Sequence, residues 1–203
     1  MVTRLLSAPA LVSSDYALAQ RCVSGDRSAQ RELFDRELRR VHSVVFRIIG
    51  SNASIDDLVQ DAFLEIFRSL KGFRGEASLG TWIDRCTVRV VYAYISKRRL
   101  RSPALEVIPD VVSKAPNAEE RAIARQAVRH FYAELERLDP VQRLAFTLHA
   151  VDGRPLEEVA RLMEASLVST KSRVWRARQA LERRARHDPL LADFLERDAD
   201  REG

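Results

Sequence analysis

Between residues 168 and 184 the chain reads VSTKSRVWRARQALERR, with Lys171, Arg173, Arg176 and Arg178 spaced through it and no acid before Glu182. Cations interleaved with hydroxyls such as those of Ser169 and Ser172 are the groups that hold phosphate oxygens and base edges. At about 100° per residue, Thr170, Val174, Ala177 and Leu181 fall on one narrow stripe, at i, i+4, i+7 and i+11. That stripe must be buried. Ser169, Ser172, Arg176 and Gln179 then gather on the opposite side, with Lys171, Arg173 and Arg178 on the flanks. Few i,i+4 ion pairs can neutralise such a helix. The pattern favours an anionic partner, although a helical hairpin with a basic surface would show the same composition.

Two further stretches carry candidate binding chemistry. Across 57–70, Leu58, Val59, Ala62, Phe63, Ile66, Phe67 and Leu70 form a wide apolar arc. Asp57, Gln60, Asp61, Glu65 and Arg68 form the polar arc, and Leu64 lies inside it. A leucine framed by acids is either an ordinary exposed side chain or the centre of a protein contact, and the helical wheel does not choose. Those acids would repel DNA, so a protein surface and a nucleic-acid surface would have to use different faces. In KGFRGEASLGTW and RVVYAYISKRR, aromatics stand beside cations, the combination that holds single strands. Trp82, Tyr92 and Tyr94 at helical spacing, however, are more often what a core shows.

The elements that must position these residues can be placed from composition and punctuation. At 203 residues, 46% hydrophobic and 31% charged, the chain suits one or two small domains, and a formal charge of +5 agrees with an anionic partner. Cys22 and Cys86 sit in helical patterns without a C-x-x-C, as expected of buried free thiols. No basic-then-apolar leader and no apolar run approaching 18 residues is present, so a cytoplasmic protein without membrane insertion is expected. The spacing of His42, His130, His149 and His187 suits no metal, and no P-loop, H-E-x-x-H, G-x-S-x-G or G-x-G-x-x-G occurs. The expectation is a chain with no cofactor and no small-molecule substrate, and not an enzyme.

Residues 1–13 read as a loose, disordered leader. A first helix starts at Ser14 or Asp15 and closes at Ser24-Gly25, where glycine takes the left-handed cap conformation. Asp26 caps a second helix that places Leu33, Phe34, Leu38, Val41, Val45 and Ile48 at helical spacing and ends at Gly50. Ser54 and Asp57 have capping-box spacing ahead of the third helix, which ends at Gly72. Ser78 caps a fourth that runs out in the cluster Lys97 to Arg101, despite its β-branched residues. From 102 to 117 three prolines and scattered valines read as a flexible linker. Helicity resumes over Ala118–Leu138, and Asp139-Pro140 starts the next helix with a cap and a first-turn proline. Asp152-Gly153 breaks it. The short PLEEVARLM, the turn EAS and the basic helix then follow the helix-turn-helix plan, Val159, Ala160 and Met163 packing on Thr170 and Val174. The fold class is therefore all-α: two small helical domains joined by a flexible linker, the C-terminal one a helix-turn-helix.

DDLVQDAFLEIFRSLKGFRGEASLGTW and LERLDPVQRLAFTLHAVDGRPLEEVARLMEASLVSTKSRVWRARQAL together resemble bacterial RNA polymerase sigma factors of the extracytoplasmic-function (ECF) type. The likeness covers about residues 15–100 and 120–185, in the family's order. It implies a domain at 14–101 that binds the polymerase clamp and opens the −10 promoter element, and a domain at 118–186 that reads the −35 element. The linker would set the spacing, and the tail 187–203 has no implied role. By this resemblance Asp57, Gln60, Asp61 and Leu64 match the clamp-binding helix, which would make the acid-framed leucine a protein site. Phe73 to Ser78 match the loop that captures an unstacked base. With Phe73, Arg74 and Ser78, the implied single-strand contacts are Trp82, Arg89, Lys97, Arg98 and Arg99. Ser169, Lys171, Ser172, Arg173, Arg176 and Arg178 match the −35 reader. Implied partners are core polymerase through its clamp and flap, promoter DNA and an anti-sigma factor. The chain departs from the pattern at Val88-Arg89, Ala93, Glu164, Val168 and Thr170. Of these, Glu164 stands where glycine is common, in a turn that needs positive φ, at a cost on the order of 1 kcal/mol.

Overall fold

The structure, a computed structural model, describes residues 8–50, 54–99 and 118–185. The linker expected at 102–117, the tail at 187–203 and most of the leader lie outside these. The described residues form helices and turns with no strand among them. In chain order the helices are α1 (Ala8–Val23), α2 (Arg27–Ile49), α3 (Ile55–Ser69), α4 (Leu79–Arg99), α5 (Ala118–Glu136), α6 (Pro140–Phe146), α7 (Leu156–Leu162) and α8 (Leu167–Ala185). A 3₁₀ turn, Leu70–Gly72, extends α3, and a π-helical turn, Thr147–Val151, extends α6. Two compact units result: one of residues up to Val45 with Asp56–Val91, the other of Phe46–Ile55 with residues from Tyr92 on.

In the first unit, α1 begins at Ala8 rather than at Ser14 or Asp15. The stretch ALVSS contains no glycine or internal proline to stop a helix from starting earlier. The Asp26 carboxylate accepts from the Ser28 hydroxyl and from the amides of Ser28 and Ala29, as its N-cap role requires. Those donors, the hydroxyl first, hold its pKa well below the usual carboxylate range. The Thr81 amide donates to Ser78 Oγ at 3.2 Å, so Ser78 caps α4. A second cap was not legible: the Leu79 amide donates to the Asp15 carboxylate, 64 residues away in sequence, at 2.9 Å. Leu33, Val41, Val45 and Ile48 are buried as the periodicity predicts, but Phe34 is 36% exposed. It sits at the edge of the apolar stripe, where a wheel alone does not separate rim from core. Cys22 and Cys86 are free and buried, and burial pushes both thiols up, away from the reactive thiolate.

In the second unit, Asp139 caps α6 through the Val141 amide, with Pro140 following. Arg143, buried on the next turn, donates to the carbonyls of Ile48 and Ile49 at 3.1 and 3.3 Å. Phe131, Leu135, Leu138, Ala145 and Phe146 form a core with Val174, Ala177 and Leu181 of α8, and Met163 packs at its edge. Thr170, fully buried where an apolar residue is usual, satisfies its hydroxyl by donating to the Ser166 carbonyl at 3.0 Å. Ser166 Oγ in turn accepts from the Ser169 amide and caps α8.

The turn between α7 and α8 is a Schellman motif. The Ala165 amide donates to the Ala160 carbonyl, and the Glu164 amide to that of Arg161. Gly25 closes α1 with the same pair of bonds at φ +88°, and Glu164 adopts φ +51°. A Cβ in that region is strained, so Glu164→Gly should stabilise this unit by about 0.5–1 kcal/mol, glycine's unfolded-state entropy offsetting part of the relief. Urea unfolding followed by circular dichroism measures it. A midpoint equal to or below that of the parent would show that Glu164 makes contacts worth more than the strain.

Candidate polymerase and nucleic-acid interfaces

The face of α3 that carries acids is solvent-exposed along its length. Asp57, Gln60 and Asp61 are exposed, and Leu64, 54% exposed, completes an i, i+3, i+4, i+7 stripe. Beside it runs an open, largely apolar groove lined by Phe34, Leu38, Val59, Phe63, Leu64 and Phe67. The rings of Phe34 and Phe63 lie 4.5 Å apart and those of Phe63 and Phe67 6.2 Å apart. Leu64 therefore shares this groove with the partly open Phe34 and Phe67, which flank the buried Phe63. Sequence reasoning placed Phe34 in the core and so missed that α2 contributes to this surface. Its position next to Leu33 on the predicted stripe was the only available signal.

The loop after α3 presents its residues unequally. Arg74 and Ser78 are exposed, whereas Phe73 is 3% exposed and presents no open face. Its ring stands edge-on to Trp82, with centroids 5.8 Å apart, and 6.5 Å from Tyr16. The edge-on pair fixes Trp82, which remains partly open. Along α4, Trp82, Arg89, Tyr92, Ala93 and Lys97 fall on one side at helical spacing, and Arg89, Tyr92, Ala93 and Lys97 are exposed. Tyr92 thus belongs to the surface rather than to the core. Arg98 points elsewhere: it donates to the Tyr94 hydroxyl at 3.2 Å and pairs with Glu136 at 3.6 Å. Arg99 ends α4, and its side chain lies outside the described residues.

On α8 the predicted core stripe, Thr170, Val174, Ala177 and Leu181, is buried throughout. Lys171 and Arg176 are exposed, Ser169 and Ser172 are half-buried on the outward side, and Arg173 and Arg178 are half-buried on its two flanks. The single acid of the helix, Glu182, accepts from Gln179 at 2.9 Å, near the far end. The geometry shows a basic helix in a helix-turn-helix arrangement in one unit and an acidic, leucine-bearing helix face in the other.

Comparison with known proteins agrees. The family model for sigma-70 region 2 matches residues 33–101, and that for region 4 matches residues 129–181, together more than half of the chain. The Escherichia coli K12 ECF RNA polymerase sigma-E factor is 28% identical over 187 residues, covering 88% of this chain and 96% of that protein. The ECF RNA polymerase sigma-E factor of Haemophilus influenzae is 26% identical over 88% of this chain and 97% of its own. In fold, the chain is similar to CnrH, solved in complex with the cytosolic domain of CnrY (TM-score 0.58, 22% identity, 86% of this chain and 99% of that one). It is also similar to the sigma factor RpoE, solved with the anti-sigma factor NepR from Bartonella quintana (TM-score 0.52, 20% identity, 78% and 97%). The chain belongs to the sigma-70 family, in its extracytoplasmic-function branch. It is a promoter-recognising RNA polymerase sigma factor. Among the described residues, no helix is long and apolar enough to cross a membrane.

Proposed function

We propose that three separate surfaces divide the work of initiation. The α3 face of Asp57, Gln60, Asp61 and Leu64 docks on the clamp of core polymerase. Trp82, Arg74 and Ser78, with Arg89 and Lys97 of α4, hold the opened −10 strand. The outward side of α8, through Ser169, Lys171, Ser172, Arg173, Arg176 and Arg178, reads the −35 duplex, while its unit docks on the flap.

The observation that carries this reading is the separation of charge. An exposed leucine framed by acids occupies α3, and Lys171, Arg173, Arg176 and Arg178 all precede Glu182, the one acid of α8. One sign cannot serve both a DNA surface and the acid-framed site. Within the −10 surface, Phe73 acts from beneath: it fixes Trp82, on whose open face a base stacks. Stacking of that kind contributes about 1–3 kcal/mol per base, comparable to the few kcal/mol that unstacking costs. Phosphate contacts from Arg89 and Lys97 add a salt-dependent term. The chain makes or breaks no covalent bond itself and works in the cytoplasm with polymerase. An anti-sigma factor covering the α3 face and the α8 reader would silence it, as both structural neighbours were solved with a bound partner.

Run-off transcription with purified core polymerase on pooled genomic fragments tests the reading. New discrete transcripts, dependent on this chain, are the expected result. Tight duplex binding without transcripts or co-elution with core would instead assign the chain to stand-alone regulation and leave the α3 face without a role.

A further inference from the structure

The outward side of α8 is not uniformly polar. Val168 is 79% exposed and Trp175 62% exposed, the two most exposed large apolar side chains among the described residues. Seven residues apart, they fall within about 20° of each other at 100° per residue, directly opposite the buried stripe. The outward line is Val168, Ser172, Trp175 and Gln179, the same i, i+4, i+7, i+11 spacing as the core line Thr170, Val174, Ala177 and Leu181. Lys171 and Arg176 flank it. An exposed tryptophan between cations on a helix with one acid is a poor solvent surface.

We propose that Val168 and Trp175 form an apolar reading pair that selects thymine in the −35 duplex, each through the 5-methyl group of one base. The occupant follows from charge complementarity, since the flanking cations suit a phosphate-lined groove. The base follows from chemistry. In the major groove every base edge presents hydrogen-bonding atoms, but thymine alone adds an apolar carbon. Valine has no group that pairs with N7, O6 or an amino group, and pressing it against those atoms would strip their water without replacement. A methyl is the one partner that benefits from the contact. The spacing follows from geometry: seven residues at 1.5 Å each is about 10 Å, or roughly three base-pair steps of 3.4 Å. Serine hydroxyls and the guanidinium of Arg176 between and beside the pair remain free to specify the intervening bases by hydrogen bonding. Val168, at the second position of α8, lies where reader helices approach base edges most closely.

This inference rests on the assignment of α8 as the −35 reader, and one experiment separates the two. Holoenzyme assembled from core polymerase and the full chain is bound to a promoter fragment mapped by run-off transcription. Three versions of the upstream element are compared: native, scrambled, and native with each thymine replaced by deoxyuridine, which removes only the methyl. Each lost methyl contact should weaken binding about fourfold, on the order of tenfold for the pair. Val168→Ser and Trp175→Gln should each bind the native element less tightly and shrink the thymine-to-uracil ratio by about fourfold, while the salt slope set by Lys171 and Arg176 stays unchanged. Both positions are exposed, so neither variant threatens folding. Native and uracil elements bound equally by the parent, yet both better than the scrambled one, would overturn the thymine contact alone. A scrambled element bound as well as the native one would overturn the α8 assignment and this inference with it.

Discussion

Reversing the charge at Asp61 (Asp61→Arg) should lower promoter-directed run-off on the order of a hundredfold and remove co-elution with core polymerase. The residue is fully on the surface of α3, one turn from Leu64, on the stripe proposed to meet the clamp. Replacing a complementary charge by a like charge at an interface combines the loss of an attraction with the gain of a repulsion, and like-charge juxtaposition there costs several kcal/mol. An exposed helix position away from the core changes folding by less than about 0.5 kcal/mol, so the variant should keep the parent's unfolding midpoint. Its α8 reader is untouched, and binding to the isolated −35 duplex should be unchanged. Leu64→Ala should follow the same pattern with a smaller loss, roughly tenfold, as expected of an apolar anchor truncated at the centre of a contact. A variant that lost transcription and duplex binding together would point to misfolding. Full transcription from Asp61→Arg would remove α3 from the polymerase interface.

Arg40→Met should cost the first unit several kcal/mol of stability. Arg40 Nε and Nη2 donate to the two Asp84 carboxylate oxygens, each at 2.8 Å, in the fork geometry that only arginine offers. Asp84 is buried on α4, whereas the arginine side chain is half-exposed. The pair as a whole contributes little, because desolvation offsets attraction. Removing the guanidinium alone takes from an interior carboxylate the donors to both its oxygens, and that asymmetry costs about 3–5 kcal/mol for a fully buried pair. Solvent access on the arginine side should bring the value toward the lower end. The double variant Arg40→Met with Asp84→Leu should recover most of the loss in denaturant unfolding. Failure to recover would mean that the carboxylate has other partners that matter more than Arg40. Gly80 belongs to the same device. A Cβ there would stand 2.7 Å from Arg40 Nη1, so alanine would require the guanidinium end to shift.

Much of this molecule was legible because its signals are local. Caps at Asp26, Ser78 and Asp139 depend on residues two or three positions away, and each closes where the sequence placed it. The stripe on α8 depends only on a period of 3.6 residues, and burial follows it at every position. Even the strain at Glu164 could be read, since a Schellman turn demands positive φ whatever surrounds it.

Other features depend on which surfaces meet. The extra cap from Asp15 to the Leu79 amide and the fork from Arg40 to Asp84 join residues 64 and 44 positions apart, and no periodicity links them. Phe34 reads as core on the wheel, but only Leu33 is fully covered and Phe34 is left lining a groove. Phe73 reads as an open stacking residue, yet Trp82 and Tyr16 cover it. Trp175 is apolar on a polar face, and the structure leaves it 62% exposed. The sequence by itself determined the helices, their ends and the charge on each face, because these follow from near neighbours along the chain. Only the tertiary structure decided which apolar residues are covered, because coverage is a property of the surface that arrives from elsewhere.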